Sequence, residues 1–224
     1  MSKGWQGLLD LLFPPKCPFC RRMLNTGDEL LCPHCQQNLP WTRETRGEQR
    51  VEFAARCVAP LWYQDDCREA VHRFKFDGVR RYSQPFAVLM TQCAQDRLTG
   101  SFDLVTWVPI SALRRWGRGY DQSQLLARGV AQGQDLPLVQ TMKKKRHNKR
   151  QSKLVGRAAR RANVLGVYKM VEDVSVRDKR VLLIDDVVTT GATLSECARV
   201  LRTAGAREVV CLALAMTGQE SKKV

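Results

Sequence analysis

Val181-Leu182-Leu183-Ile184-Asp185-Asp186-Val187-Val188-Thr189-Thr190-Gly191-Ala192-Thr193 is the stretch that decides the fold. Its first four residues are apolar with no polar alternation, the pattern of a strand buried on both faces inside a parallel sheet covered by helices. Two carboxylates follow at the strand's carboxyl end, then a small, hydroxyl-rich turn. Leu194, Cys197, Ala198 and Leu201 next fall at helical spacing, and Gly205 stops the run. The segment therefore predicts strand, acidic pair, Thr/Gly loop and helix, and with them an α/β fold.

Open α/β sheets bind ligands beyond the carboxyl ends of their strands, where a helix start offers backbone N–H groups and partial positive charge. A phosphate suits that place. Gly191 lets the backbone come close, and Thr189, Thr190 and Thr193 add hydroxyl donors. Asp185 and Asp186 stand one loop away, placed to accept hydrogen bonds from sugar hydroxyls. The expected ligand is a sugar 5-phosphate. A Walker B strand would be the other reading of Asp-Asp at a strand end, but the sequence contains no G-x-x-x-x-G-K-[ST] loop to accompany one.

These 13 residues resemble the motif with which type I phosphoribosyltransferases bind 5-phosphoribosyl 1-diphosphate (PRPP). The resemblance implies that Asp185 and Asp186 hold the ribose 2- and 3-hydroxyls and that Thr189, Thr190, Gly191, Ala192 and Thr193 hold the 5-phosphate. Mg²⁺ is expected with PRPP, held mainly by the ligand's own oxygens because it gives up its waters reluctantly.

The 224 residues carry a formal net charge of +15 and a pI near 9.8, which attracts polyanions without choosing among nucleic acid, phosphorylated substrate and anionic lipid. No apolar run approaches the roughly 20 residues that span a bilayer. The opening Trp5, Leu8, Leu9, Leu11, Leu12, Phe13 segment lacks the basic region and cleavage site of a signal peptide and reads as a short helix packed on the body. Nine cysteines in a chain without an export signal point to metal binding rather than a disulfide framework.

Cys17-Pro-Phe-Cys20 and Cys32-Pro-His-Cys35, eleven residues apart, form two C-x-x-C knuckles that can close a tetrahedral four-thiolate Zn²⁺ site with no open position. His34 is an alternative ligand. A lone redox C-x-x-C would stand singly beside a thioredoxin-like βαβ pattern, which is absent here. Cys57, Cys67, Cys93, Cys197 and Cys211 read as buried hydrophobes.

The expected organisation is an N-terminal helix and zinc module over 1–40, a polar linker over 41–58, a phosphoribosyltransferase-like domain over 59–216 with helices on both sheet faces, and a polar tail over 217–224. Within the domain, strands are expected at 59–63, 102–110, 178–184 and 208–215, and helices at 66–76 and 86–98. Residues 111–122 read as a loop in which Arg114, Arg115, Arg118 and two glycines suit a diphosphate. Phosphoribosyltransferases place their pyrophosphate loop at the corresponding point. A basic run, Lys143, Lys144, Lys145, Arg146, Lys149 and Arg150, lies in a stretch with no acidic residue between Asp135 and Glu172. In the fold that the resemblance implies, such a run can form a hood over PRPP. It can also track a single-stranded nucleic acid, with Trp116 and Tyr120 as stacking surfaces.

The double C-x-x-C, the His72-Arg73-Phe74-Lys75-Phe76-Asp77-Gly78 segment, Val108-Pro109 with Arg118-Gly119-Tyr120-Asp121-Gln122-Ser123, Asn163-Val164-x-Gly166 and the PRPP motif together resemble the ComF/GntX family over nearly the whole chain. That resemblance implies a cytoplasmic protein that assists natural competence or nutritional use of DNA, acting on single-stranded DNA beside a helicase and recombination proteins. Thr189 stands where some purine-specific phosphoribosyltransferases carry an acidic residue, and no general base is evident. The alternatives are a nucleobase-salvage enzyme, which nucleobase-dependent pyrophosphate release would reveal, and a zinc-bearing DNA-binding module with a vestigial PRPP site.

Overall fold

The structure is a computed structural model that describes residues 14–25, 29–42, 47–145 and 163–218. The expected N-terminal helix and the basic residues Arg146, Lys149 and Arg150 lie outside the described residues.

The elements, in chain order, are α1 (Pro33–Asn38), β1 (Arg56–Val58), β2 (Leu61–Trp62), α2 (Asp65–Phe76), α3 (Ser83–Leu98), β3 (Leu104–Trp107), α4 (Ala112–Arg118), α5 (Gln122–Gly133), β4 (Met142–Lys144), β5 (Tyr168–Met170), β6 (Arg180–Val188), α6 (Ala192–Thr203) and β7 (Glu208–Met216). The main sheet is parallel throughout. Its order is β1-β7-β6-β3, with β2 pairing the far end of β7.

The apolar run of β6 is buried on both faces, and the period of two decides which residue meets which layer. Leu182 and Ile184 join Val210 and Leu212 of β7 against Phe74 of α2, Phe86 and Met90 of α3, and Leu126 and Val130 of α5. Val181 and Leu183 join Val209, Cys211 and Ala213 on the opposite face, against Leu194, Cys197 and Leu201 of α6. The five cysteines outside the knuckles are all buried in these layers.

Four expectations about local structure are corrected. The strand expected at 59–63 is confined to β2, and β1 precedes it at Arg56–Val58; both pair with β7, and Pro60, with no N–H for a ladder, lies between them. β6 runs on through Asp185 and Asp186 to Val188, pairing Val187 with Ala215 and Val188 with Met216, so the carboxylates stand within the strand's last half. Residues 112–118 form a helix instead of a loop: Ser111 caps it through Arg114 N–H (3.4 Å), and Gly119, at φ 75°, ends it in the left-handed conformation. Met142–Lys144 is a strand, antiparallel to Tyr168–Met170, where only a basic run with no strand in it was expected. Met142 and Tyr168 are buried against the α6 face, and this apolar anchoring folds the hairpin.

The amino-terminal module shares the α2/α3/α5 core. Phe19 is 1% exposed, its ring 5.4 Å from that of Phe86, and burial of one such ring contributes about 1.5–3 kcal/mol. From α2, the Arg73 guanidinium donates to the carbonyls of Pro18 (2.9 Å) and Phe19 (2.6 Å).

Candidate functional site

The carboxyl ends of β6 and β3 and the starts of α5 and α6 meet at one edge of the sheet. Asp185 accepts from the Ser123 hydroxyl at 3.0 Å and from the N–H of Asp186 at 2.9 Å. Lys75, near the end of α2, places its ammonium 2.7 Å from Asp186. Burial and the adjacent Asp186 carboxylate push Asp185 up to about 7. Asp121, buried as the N-cap of α5, accepts from the N–H groups of Ile110 (3.1 Å) and Gln124 (3.2 Å), and burial raises its carboxyl as well.

The loop after β6 is tight and supported from below. Gly191 adopts φ 75° and is the N-cap of α6 without a side-chain cap bond, so the first turn of a 12-residue helix faces the end of the sheet with its amide dipoles aligned. A side chain at Gly191 would be strained at that φ, and its Cβ would come within 3.3 Å of Val51 Cγ2. Thr190 Oγ1 accepts from Ala192 N–H (3.5 Å). The Thr189 carbonyl accepts from the Gln49 side chain and from the Thr217 hydroxyl (3.3 Å). Residues 49–52 thus buttress the loop, and Glu52 N–H also reaches Ser195 Oγ at 3.1 Å.

The three expected arginines do not act alike. Arg114 opposes the protonation of Lys144, and Arg115, which lines the cleft beside Trp116, favours the ionised form of Asp121. Arg118 lies over the Phe76 ring (4.8 Å) and donates to Gln122 Oε1 (2.7 Å). Lys144, on β4, stands 5.3 Å over the Tyr168 ring, and burial, with Arg114 adding to it, lowers its ammonium to about 8. Lys143 pairs with Glu172 (3.1 Å), and exposed Lys145 follows the strand. Tyr120 is not a stacking surface: it is 7% exposed, its hydroxyl donates to the Phe74 carbonyl, and Arg80 covers its ring at 5.0 Å.

Lys75 and Ser123 had no assigned role in the sequence reading. Both lie inside the segments that carried the resemblance, at His72 to Gly78 and Arg118 to Ser123, yet nothing local to either says that it will meet the acidic pair. Only the packing of α2 and α5 on β6 brings them there.

A second cluster is formed by Cys17, Cys20, Cys32 and Cys35, whose sulfurs all lie within 4.8 Å of one another. Four sulfurs about 2.3 Å from one Zn²⁺ would stand roughly 3.8 Å apart, so the cluster has the size of a tetrahedral structural site. His34 is exposed and turns to Asn38 instead, leaving the ligand set entirely cysteine.

These two sites define the class. The chain carries a phosphoribosyl transferase domain, matched over residues 121–224, and a double zinc ribbon domain, matched over residues 8–70. It is homologous to Competence protein F of Haemophilus influenzae, with 28% identity over 89% of this chain and 96% of that protein. It is also homologous to the DNA utilization protein YhgH of Escherichia coli, with 27% identity over 90% of each chain. A solved glutamine PRPP amidotransferase from B. subtilis is 29% identical over 58% of this chain and 26% of its own, with a TM-score of 0.41. Over 86–90% of its length the chain is thus similar to proteins named for competence and for DNA utilisation. No helix among the described residues is long and apolar enough to cross a membrane.

Proposed function

We propose that this protein binds Mg²⁺-PRPP at Asp185, Asp186 and the loop from Thr189 to Thr193, and binds single-stranded DNA through its basic face during uptake or use of extracellular DNA. The observation that carries the first part is convergence at one sheet edge. A pair of acceptor carboxylates, a helix start behind a close-approach glycine, and Arg114 on α4 suit three parts of one ligand: ribose hydroxyls, 5-phosphate and diphosphate. Lys75 neutralises Asp186 without the ligand, and Mg²⁺ would enter with the diphosphate rather than in a protein cage. Calorimetric titration with PRPP in Mg²⁺ tests the reading directly, and absence of heat at millimolar ligand would end it. The DNA part is supported by the names of the two relatives and by the net charge of +15.

The raised Asp185 makes PRPP affinity pH-dependent. A protonated carboxyl offers one acceptor fewer to a sugar hydroxyl, so affinity should rise as pH passes through about 7 and then level off. Because PRPP phosphates also titrate, the informative comparison is Asp185→Asn, which should lose this step and keep only the ligand's own. Asp186→Asn removes the like charge and frees Lys75, so its step should move to lower pH. Identical pH profiles for native protein and Asp185→Asn would show that Asp185 does not touch the ligand.

For DNA, each phosphate neutralised on a single strand contributes about −0.7 to the slope of log affinity against log salt. Replacing Lys143, Lys144, Lys145 and Arg146 by Ala should flatten that slope. Lys144 should contribute least of the described three, being turned inward over Tyr168. An unchanged slope in this variant would place the strand elsewhere.

A further inference from the structure

We infer that the cleft between α4 and β4 seats one unstacked base of a single nucleic-acid strand on the face of Trp116, with the flanking phosphates on Arg115 and Lys143. The inference deepens the proposed single-strand binding and rests on it.

Trp116 is 86% exposed, whereas Trp107 is 4% exposed. It stands on α4, whose ends are capped by Ser111 and Gly119, so the indole is presented by a short ordered helix rather than a loose loop. Beside it opens a cleft of about 510 Å³ lined by Pro109, Ile110, Arg115, Trp116, Lys143 and Lys144 among others. Among the described residues no carboxylate lines it.

The composition of the walls separates the candidate ligands. A site for phosphate alone uses cations and amides and has no need of a large exposed aromatic face, while a lipid or an apolar peptide has no need of three cations. An aromatic base on a phosphodiester backbone uses both, since every base has a face that stacks on indole and every linkage carries a negative charge. Glu172 holds Lys143 at 3.1 Å, but that carboxylate's side chain is 75% exposed, and an exposed pair of this kind contributes little, so a phosphate can replace it. Stacking without contacts to base edges predicts tolerance of sequence.

The test is fluorescence anisotropy with the full chain, using a labelled oligothymidylate and an abasic strand of equal length, each at several salt concentrations. The native protein should prefer the strand with bases. Trp116→Ala should weaken binding of oligothymidylate by about 5- to 150-fold, leave the abasic strand unaffected and keep the salt slope. Trp116→Phe should restore most of the loss. Arg115→Ala with Lys143→Ala should weaken both strands alike and reduce the slope by about 0.7 per lost phosphate contact. Because Trp116 packs on so little, these variants should melt with the native protein. Equal binding of the two strands by native protein, or native-like binding by Trp116→Ala, would overturn the stacking site while leaving backbone binding intact. A native protein that binds neither strand overturns the single-strand reading itself. If Trp116→Ala instead converts a dimer to a monomer in sedimentation with no change in DNA affinity, the cleft is a contact between copies and the inference fails.

Discussion

Replacing Asp185 and Asp186 together by Asn is expected to reduce PRPP affinity by at least about 5- to 150-fold, with little change in the shape of the site. Asn keeps the volume of Asp but replaces one acceptor oxygen with a donor and removes the charge, so a ribose hydroxyl loses an ionised acceptor at each position. Hydrogen bonds to charged groups contribute about 1.5–3 kcal/mol, and a buried polar group left without its partner costs about 1–3 kcal/mol. The two changes are not additive, because the Asp186 carboxylate raises Asp185 and Lys75, paired with Asp186, acts on both charges. Calorimetry in Mg²⁺ measures the loss, and native-like affinity in the double variant would refute the assignment of the pair.

The same pair predicts a trade between binding and stability. Asp185 is raised to about 7 in the folded protein, well above the ordinary carboxylate range of about 3.9 in the unfolded chain. Between those two values the folded state holds a proton that the unfolded state has released, so folding loses stability as pH climbs from about 4 to 7 and stays lower above that. Asp185→Asn removes the titration. It should therefore melt higher than native protein at pH 8 and gain little at pH 4, while binding PRPP less well. The amide cannot be driven to ionise in a buried site, so the expected gain in stability comes with the expected loss of affinity. A melting point at pH 8 at or below the native value would contradict the raised carboxyl.

The second large effect is expected on removing zinc. Purified protein should contain one Zn²⁺ per chain, and Cys17→Ser with Cys20→Ser, or a strong chelator, should unfold the amino-terminal module. Structural zinc in small modules stabilises by roughly 10–16 kcal/mol, more than so small a module can recover from its own core. The consequences extend past the ligands, because Phe19, Leu31 and Leu39 pack into the layer that includes Phe74 and Phe86. Loss of the module bares that apolar face and strands the Arg73 guanidinium that held two of its carbonyls. Hydrogen exchange should then show lost protection over 17–42 and softening of α2 and α3. β6 and β7 should keep their protection, since they are covered on the other face by α6. A metal-free protein with an ordered, protected amino terminus would refute the zinc site.

The parts of this protein are legible in one dimension where their chemistry is local and contiguous. The apolar quartet of β6 has to be buried on both faces because it has no polar side to give to water, and the acidic pair and Thr/Gly loop follow it along the chain. The two knuckles are legible because a C-x-x-C turn brings its own sulfurs together, so two turns suffice for one tetrahedral site. Residues 111–121 were harder to read because Ser111, Gly119 and Asp121 serve equally well in a ligand loop and as helix caps. The deciding fact is what their side chains and backbone bond to, and that is capping. The strand Met142–Lys144 was hidden by its lysines, since its buried partners, Tyr168 and the α6 face, lie well over 20 residues further along. Lys75 belongs to the same class. It is separated from Asp186 by more than a hundred residues, and no local pattern distinguishes it from any other lysine in a helix's last turn. Only the docking of α2 on the sheet brings the ammonium to 2.7 Å. The sequence by itself determined the parallel sheet, the acidic pair with its Thr/Gly loop, and the cysteine cluster, because each is set by neighbours within a few residues. The tertiary structure alone decided the ion pair with Lys75, the hydroxyl of Ser123 on Asp185 and the exposure of Trp116 beside a cationic cleft, because charge neutralisation and burial depend on distance through space and not along the chain.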